Sequence, residues 1–270
     1  VEEMLLILKS IEKEHNILEA FVKSAKEAIH EGYYETKQKR LPHRSLKKAI
    51  MSSTLVPIIA EIKFVSPAEG MLRPHGDLKE IAQAIERGGG TGISVLTEPK
   101  HFHGRLEYLS DVKESVKIPV LMKDIIIDPV QIRAAKAIGA DAILLISSIF
   151  RDGYCRKDLN SMIDYAHSLS LEVMLETHSP QEFEEAMGSD ADLIGINNRD
   201  LKTLRVSIET SRDILQKYSG SKTIVCESGI TTREEIRSLI ALGADAFLIG
   251  SSIMKSRDIE STVRSFTSDR

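Results

Sequence analysis

Glu61 and Lys63 close the apolar run Ile58-Ile59-Ala60, and side chains two apart on an extended strand share one face. Lys123 follows the run Pro119–Met122, Glu176 follows Glu172–Leu175, Asn197 and Arg199 follow Leu193–Ile196, and Glu227 follows Thr223–Cys226. Burying such charges in apolar packing costs several kcal/mol each by order of magnitude, and a shared polar opening avoids that cost. Glu61, Glu176 and Glu227 set against Lys63, Lys123 and Arg199 form a balanced group. Such a group can sit together without net repulsion and bind a zwitterionic or anionic substrate. A lysine within it could also act as a Schiff-base nucleophile. The competing reading is a network of structural ion pairs capping one end of the fold.

A second signal points to phosphate. Glu227-Ser228-Gly229-Ile230 runs into a helix that opens at Thr231-Thr232, and Ile249-Gly250-Ser251-Ser252 likewise opens a helix. Glycine lets the backbone approach an anion, while a helix N-terminus offers unpaired N–H groups and a positive dipole end. Ordinary turn chemistry is the alternative.

The elements that must position these groups are visible as eight β-branched runs. They are Leu55–Ile62, Gly92–Leu96, Pro119–Met122, Ala142–Ile146, Glu172–Leu175, Leu193–Ile196, Thr223–Cys226 and Ala246–Ile249. Helical spacing fills the gaps, as in Ile81, Ala84 and Ile85, or Ile236, Leu239 and Ile240. Eight consecutive βα units predict an α/β protein, a (β/α)8 or TIM barrel, whose catalytic groups collect at the C-terminal strand ends. An open doubly wound sheet is the alternative, disfavoured because no G-x-G-x-x-G follows an early strand. Ala137-Ile138-Gly139-Ala140-Asp141-Ala142 and Ala241-Leu242-Gly243-Ala244-Asp245-Ala246 echo one another as a helix end, a glycine cap and re-entry into a strand. Residues 1–54 read differently. Leu18, Phe21, Val22, Ala25, Ala28 and Ile29 form one helical stripe with no strand before it. This predicts an N-terminal helical extension packed on a catalytic barrel of residues 55–270. The basic cluster Lys37, Lys39, Arg40, Arg44, Lys47 and Lys48 reads as a solvated, mobile connector.

Composition bounds the class. The 270 residues suit one barrel, and a net charge of −4 with mixed signs leaves no nucleic-acid footprint. Cys155 and Cys226 lack metal-ligand spacing and suit a reducing compartment. No apolar run approaches the ~20 residues of a membrane span. Glu2, Glu3, Lys9 and Glu12 interrupt the N-terminal apolar residues and exclude a signal peptide. A cytoplasmic protein is expected.

With these residues in view, the sequence resembles the indole-3-glycerol phosphate synthase family. Ala60-Glu61-Ile62-Lys63 with Ser66-Pro67 and Gly70 is similar to the family's first-strand signature. Ile93–Glu98 with Phe102, Leu121-Met122-Lys123-Asp124, Leu175–His178, Gly195–Leu201, Glu227–Ile230 and Ile249–Met254 continue the match in order, over roughly residues 55–255. The resemblance implies conversion of 1-(2-carboxyphenylamino)-1-deoxyribulose 5-phosphate to indole-3-glycerol phosphate, carbon dioxide and water. It implies Lys63 and Lys123 as acids and Glu176 as the leading base, with the order of the two lysines open. Glu61 would hold a lysine, Glu227 and Asn197 would bind substrate hydroxyl or amine groups, and Arg199 would orient an anionic group. Ser66, Ser228, Gly229, Gly250 and Ser251 would hold the phosphate, with Phe102 beside the aromatic ring. A monomer is expected, acting on a sugar phosphate that carries an anthranilate group, with no metal, no organic cofactor and no nucleic-acid or membrane partner.

Two departures from the family pattern bear on the pocket. Ile125 stands where phenylalanine is common, replacing an aromatic wall by an aliphatic one. Ala68-Glu69 stands where serine and a basic residue are common, and an acidic Glu69 would not help a nearby phosphate. His101 and His103 read as loop histidines, His178 as a neighbour of Glu176 or a solvent contact, and Cys226 as a small residue on the outer strand face. The rivals are a class I aldolase, a non-catalytic phosphate-binding barrel, and the sister barrel phosphoribosylanthranilate isomerase.

Overall fold

The computed structural model describes residues 17–74, 76–201, 203–218 and 220–268. The reading of Glu2, Glu3, Lys9 and Glu12, and the part of the extension before Ile17, lie outside them. Eight parallel strands close into a barrel: β1 (Ile58–Ile62), β2 (Gly92–Leu96), β3 (Val120–Lys123), β4 (Ala142–Ile146), β5 (Glu172–Thr177), β6 (Leu193–Asn197), β7 (Thr223–Glu227) and β8 (Ala246–Ile249). Each pairs with its neighbours in sequence, and β8 closes on β1 with Phe247 opposite Ile58 and Ile249 opposite Ala60. The open sheet is thereby excluded.

Strand boundaries differ from the sequence expectation at both ends. β1 begins at Ile58 rather than Leu55, because Pro57 has no N–H for the ladder and Val56 N–H donates instead to Thr267 O at 3.0 Å. At the far end the ladders outlast the apolar pattern. Lys123 pairs opposite Leu96, Glu176 opposite Ile146, and Asn197 opposite Glu227, so the polar residues stand inside strands.

Alternation divides the strands between two cores. Ile62, Val95, Met122, Leu145 and Cys226 pack outward against the surrounding helices. Ile59, Leu121, Leu144, Met174, Val225 and Leu248 fill the interior. The Ala-x-Gly-Ala-Asp-Ala echo performs one task twice. Gly139 and Gly243 turn the chain at φ 91° and 108°, where a Cβ is disfavoured. Asp141 and Asp245 then accept from Val120 N and Ile224 N on the preceding strands, each at 2.8 Å.

Among the described residues two helices precede β1, α1 (Ile17–His30) and α2 (Leu46–Ser52). The apolar stripe of α1 is buried apart from the half-buried Ile29, and Ser24 Oγ donates to Glu98 Oε1 at 2.9 Å just beyond β2. Tyr34 then donates to Asp124 Oδ1 at 3.0 Å beyond β3. The chain next descends with Lys37, Lys39 and Arg40 exposed. At the opposite end of the barrel, Glu172 at the start of β5 accepts from Leu46 N at 2.7 Å and Lys47 N at 3.0 Å, capping α2. Leu46 is fully buried, and Gly92 leaves room for it, since a Cβ there would stand 2.7 Å from Leu46 Cδ1. Among the described residues no helix is long and apolar enough to cross a membrane.

Candidate active site

The ends of β1, β3, β5 and β7 supply Glu61, Lys123, Glu176 and Glu227. Alternate strands fill one interior layer of such a barrel, so these four face one another rather than the helices. Lys123 Nζ lies 2.5 Å from Glu227 Oε2 and 3.0 Å from Glu176 Oε2. Lys63, one step above the layer, pairs with Glu61 Oε1 at 2.8 Å. Two glycines make room for the carboxylates. A Cβ on Gly195 would meet Glu227 Oε1 at 2.7 Å, and one on Gly250 would meet Glu61 Oε1 at 2.8 Å. Gly250 therefore has a packing task beside its expected place near phosphate.

These groups open into a cavity of about 480 Å³. Of the residues singled out in the sequence, Glu61, Lys63, Ser66, Phe102, Lys123, Glu176, Asn197, Arg199, Glu227, Ser228, Gly229, Gly250 and Ser251 all line it. Glu61 Oε2 and Glu227 Oε1 are buried without a hydrogen-bond partner, leaving two acceptors for donors on a ligand.

Burial and charge set the protonation states. Burial would raise the Glu176 carboxyl, but Lys123 and His178 hold it well below the usual carboxylate range. Burial raises Glu227, with Glu176 and Glu61 adding to the shift and Lys123 opposing it. Burial would lower Lys123, yet Glu176, Glu227 and Glu61 keep it above the ordinary lysine value, as an ammonium. The layer thus holds a fixed cation, a fixed anion and a carboxyl that takes up a proton more readily than usual.

His178 is buried. Its Nε2 stands 3.0 Å from Glu176 Oε1, its backbone N–H donates to Glu182 Oε2 at 2.7 Å, and Glu182 pairs with Arg151 at 2.9 Å. Burial opposes its charge, but Glu176 and Glu182 raise it to about 9. His178 therefore helps set the charge state of Glu176, which a role as a solvent contact alone would not do.

The apolar half of the cavity includes Leu96, Leu144, Ile146, Leu248 and Ile125. Phe102 stands 5.6 Å from Phe21 between ring centroids, and both line the cavity. Sequence reasoning assigned Phe21 only to the packing stripe of α1, and nothing in that stripe marks one residue as facing a ligand. The loop bearing Phe102 is held by Glu98, which accepts from His101 N at 2.7 Å and Phe102 N at 3.0 Å. His101 packs edge-on to Phe21 at 4.9 Å.

At the polar end, Ser228 and Gly229 both have positive φ, 67° and 76°. Such a strained non-glycine residue persists only where its surroundings hold it. Asn198 Nδ2 donates to Ser228 O at 3.0 Å, while Asn198 Oδ1 accepts from Ser211 Oγ at 2.8 Å, tying the β6 and β7 loops together. Asn198 was not among the candidate site residues. The helix end expected after β7 carries a cap of its own that takes up part of its donor set. Glu235 accepts from Thr231 N at 2.8 Å and Thr232 N at 2.9 Å, at the start of the helix Arg233–Ala241.

Over residues 5–266 the sequence matches the family model described as indole-3-glycerol phosphate synthase. An indole-3-glycerol phosphate synthase of Methanocaldococcus jannaschii is 42% identical over 234 residues, covering 86% of this chain and 85% of that one. One from Caldanaerobacter subterraneus is 40% identical over 244 residues, covering 88% and 93%. Among solved structures, a thiamine phosphate pyrophosphorylase from Pyrococcus furiosus superposes with a TM-score of 0.58 at 16% identity, covering 82% of this chain and 96% of that one. The N-acetylmannosamine-6-phosphate 2-epimerase of Clostridium perfringens gives 0.59 at 14%, covering 80% and 93%. These two are likenesses of fold alone.

Proposed function

The chain belongs to the indole-3-glycerol phosphate synthase family and is a carbon–carbon lyase of tryptophan biosynthesis acting on a small phosphorylated substrate; from that premise we propose how its residues divide the chemistry. The substrate is 1-(2-carboxyphenylamino)-1-deoxyribulose 5-phosphate. Its anthranilate ring lies along Phe102, Phe21 and Ile125, and its phosphate lies against Ser66, Ser228, Gly229, Gly250 and Ser251. The ring carbon bearing the carboxylate attacks the ribulose carbonyl, whose oxygen takes a proton from Lys123. Carbon dioxide then leaves and the ring regains its aromaticity. Lys63, steadied by Glu61, protonates the departing hydroxyl, which leaves as water, and Glu176 removes a proton from the new five-membered ring. Glu227 and Asn197 bind substrate hydroxyl or amine groups, and Arg199 orients an anionic group. The enzyme works as a cytoplasmic monomer without metal or organic cofactor, with residues 55–270 as the catalytic barrel and 1–54 as its extension.

The observation that carries this reading is the position of Lys123, within 3.0 Å of two carboxylates inside the cavity that Lys63 also lines. An ammonium fixed among buried carboxylates at the cavity wall stabilises a developing alkoxide more strongly than one in bulk solvent. The test separates the two bond-breaking events. With the carboxyphenylamino-ribulose phosphate, Lys63→Met is expected to release carbon dioxide without forming indole, whereas Lys123→Met releases neither. Indole fluorescence reads the second event against low background, since the chain contains no tryptophan. Carbon dioxide release by Lys123→Met at the wild-type rate defeats the assignment.

A further inference from the structure

The hairpin formed by Val65–Ser66 and Gly70–Met71 carries Glu69 across the mouth of the barrel. Its Oε1 accepts from Ser251 Oγ at 2.6 Å, and its Oε2 accepts from Lys255 Nζ at 2.5 Å. Arg199 Nη2 stands 3.9 Å from the same Oε1. These partners come from the loop after β6 and from the turn after β8, and each is a donor suited to an anion at this rim. Burial would raise the Glu69 carboxyl, but hydrogen bonds from Lys255 and Ser251, with the charge of Lys63, hold it below its usual range. It is therefore an anion at neutral pH. A second anion cannot share Ser251 with it at contact distance without strong repulsion.

We propose that Glu69 is an internal anion occupying the phosphate position, so that substrate binds by displacing its carboxylate from Ser251. The inference rests on the phosphate assignment made under the preceding heading. Its consequence is selectivity. A ligand offering only phosphate must expel a carboxylate that is already well bonded. A ligand that also offers an aromatic ring and sugar hydroxyls gains contacts that offset the exchange. Lys255, more than half exposed, can follow Glu69 outward and keep its partner when the hairpin lifts.

The test compares inhibition by inorganic phosphate, and KM for the phosphorylated substrate, in wild type, Glu69→Gln and Ser251→Ala. Glu69→Gln keeps the shape and removes the charge, on a hairpin outside the core. Phosphate inhibition is expected to strengthen, and KM to fall, by about two- to fivefold, the range of a part-exposed ion pair. The change in kcat is expected to be smaller. Unchanged or weaker phosphate inhibition in Glu69→Gln overturns the proposal. Ser251→Ala separates the two ways of being wrong. If it leaves phosphate inhibition as in wild type, the phosphate position is misassigned and the inference falls with it. If Ser251→Ala weakens inhibition while Glu69→Gln fails to strengthen it, only the role of Glu69 falls.

Discussion

Lys123 Nζ donates to Glu227 Oε2 at 2.5 Å, and Glu227 keeps only 1% of its surface exposed. With Glu176 at 3.0 Å, one cation is shared by two buried carboxyl groups. Lys123→Met is expected to cost about 3–5 kcal/mol, because it strands two buried carboxyl groups without their cation. It should also lower kcat at least ~100-fold. Pairing it with Glu227→Gln should restore part of the stability, read by urea unfolding, and none of the turnover. Equal stability of wild type and Lys123→Met would mean that the layer is wetter than its burial implies.

The depressed Glu176 carboxyl depends in part on His178. Glu176 must be ionised to accept a proton, and its lowered carboxyl extends the ionised form toward acid. His178→Ala removes one of the charges holding it down. The acid limb of kcat/KM is then expected at higher pH than in wild type, while KM at neutral pH changes little. An unmoved limb would leave His178 a packing role only.

Asp124 adjoins Lys123 and lies buried, receiving hydrogen bonds from Thr97 Oγ1 at 2.5 Å, Tyr34 OH at 3.0 Å and Ile125 N at 2.7 Å. Burial raises its carboxyl from 3.8 to about 7 despite those donors. The folded chain therefore binds this proton more tightly than the unfolded one. Stability from this group is greatest below about pH 4, falls as pH rises through about 7, and is flat above that. Asp124→Asn should flatten that slope in unfolding experiments run from pH 4 to 8. A slope unchanged by the substitution places its origin elsewhere.

Glu172 sits at the end of the barrel away from the cavity, where conserving structure rather than chemistry is the task. Glu172→Ala leaves the N–H groups of Leu46 and Lys47 without their acceptor, at a cost of about 1–3 kcal/mol. Thermal unfolding should move down while kcat and KM stay at wild-type values. A loss of turnover at a temperature where the variant is fully folded would link floor and rim more closely than the distances allow.

All eight strands were legible in the sequence because β-branched runs recur between helical spacings. Their C-terminal ends were not, since Lys123, Glu176, Asn197 and Glu227 break the apolar pattern while the backbone ladder continues past them. The charged rim was readable from a single physical cost, that of facing Glu61 and Lys63 into packed helices. Phe21 was not, because an apolar helix stripe reads the same whether it meets core or ligand. Nor was the bond from Ser251 to Glu69, which joins residues 182 apart. Glu235 is instructive in another way. The Thr-x-x-Glu spacing of a capping box is legible in the sequence and predicts a helix end that satisfies part of its own donor set, which the structure shows.

Residues 17–52 fasten themselves to partners that the ribosome delivers much later. Ser24 waits for Glu98, Tyr34 for Asp124, Arg44 for Asp141 and Leu46 for Glu172, which lies 126 positions downstream. The ring itself cannot shut until Phe247 meets Ile58. These segments thus find their partners only once later strands exist, and the apolar faces of α1 and α2 stay uncovered until those strands emerge. For the nascent polypeptide, the interval before β5 appears is the period of greatest exposure to wrong partners.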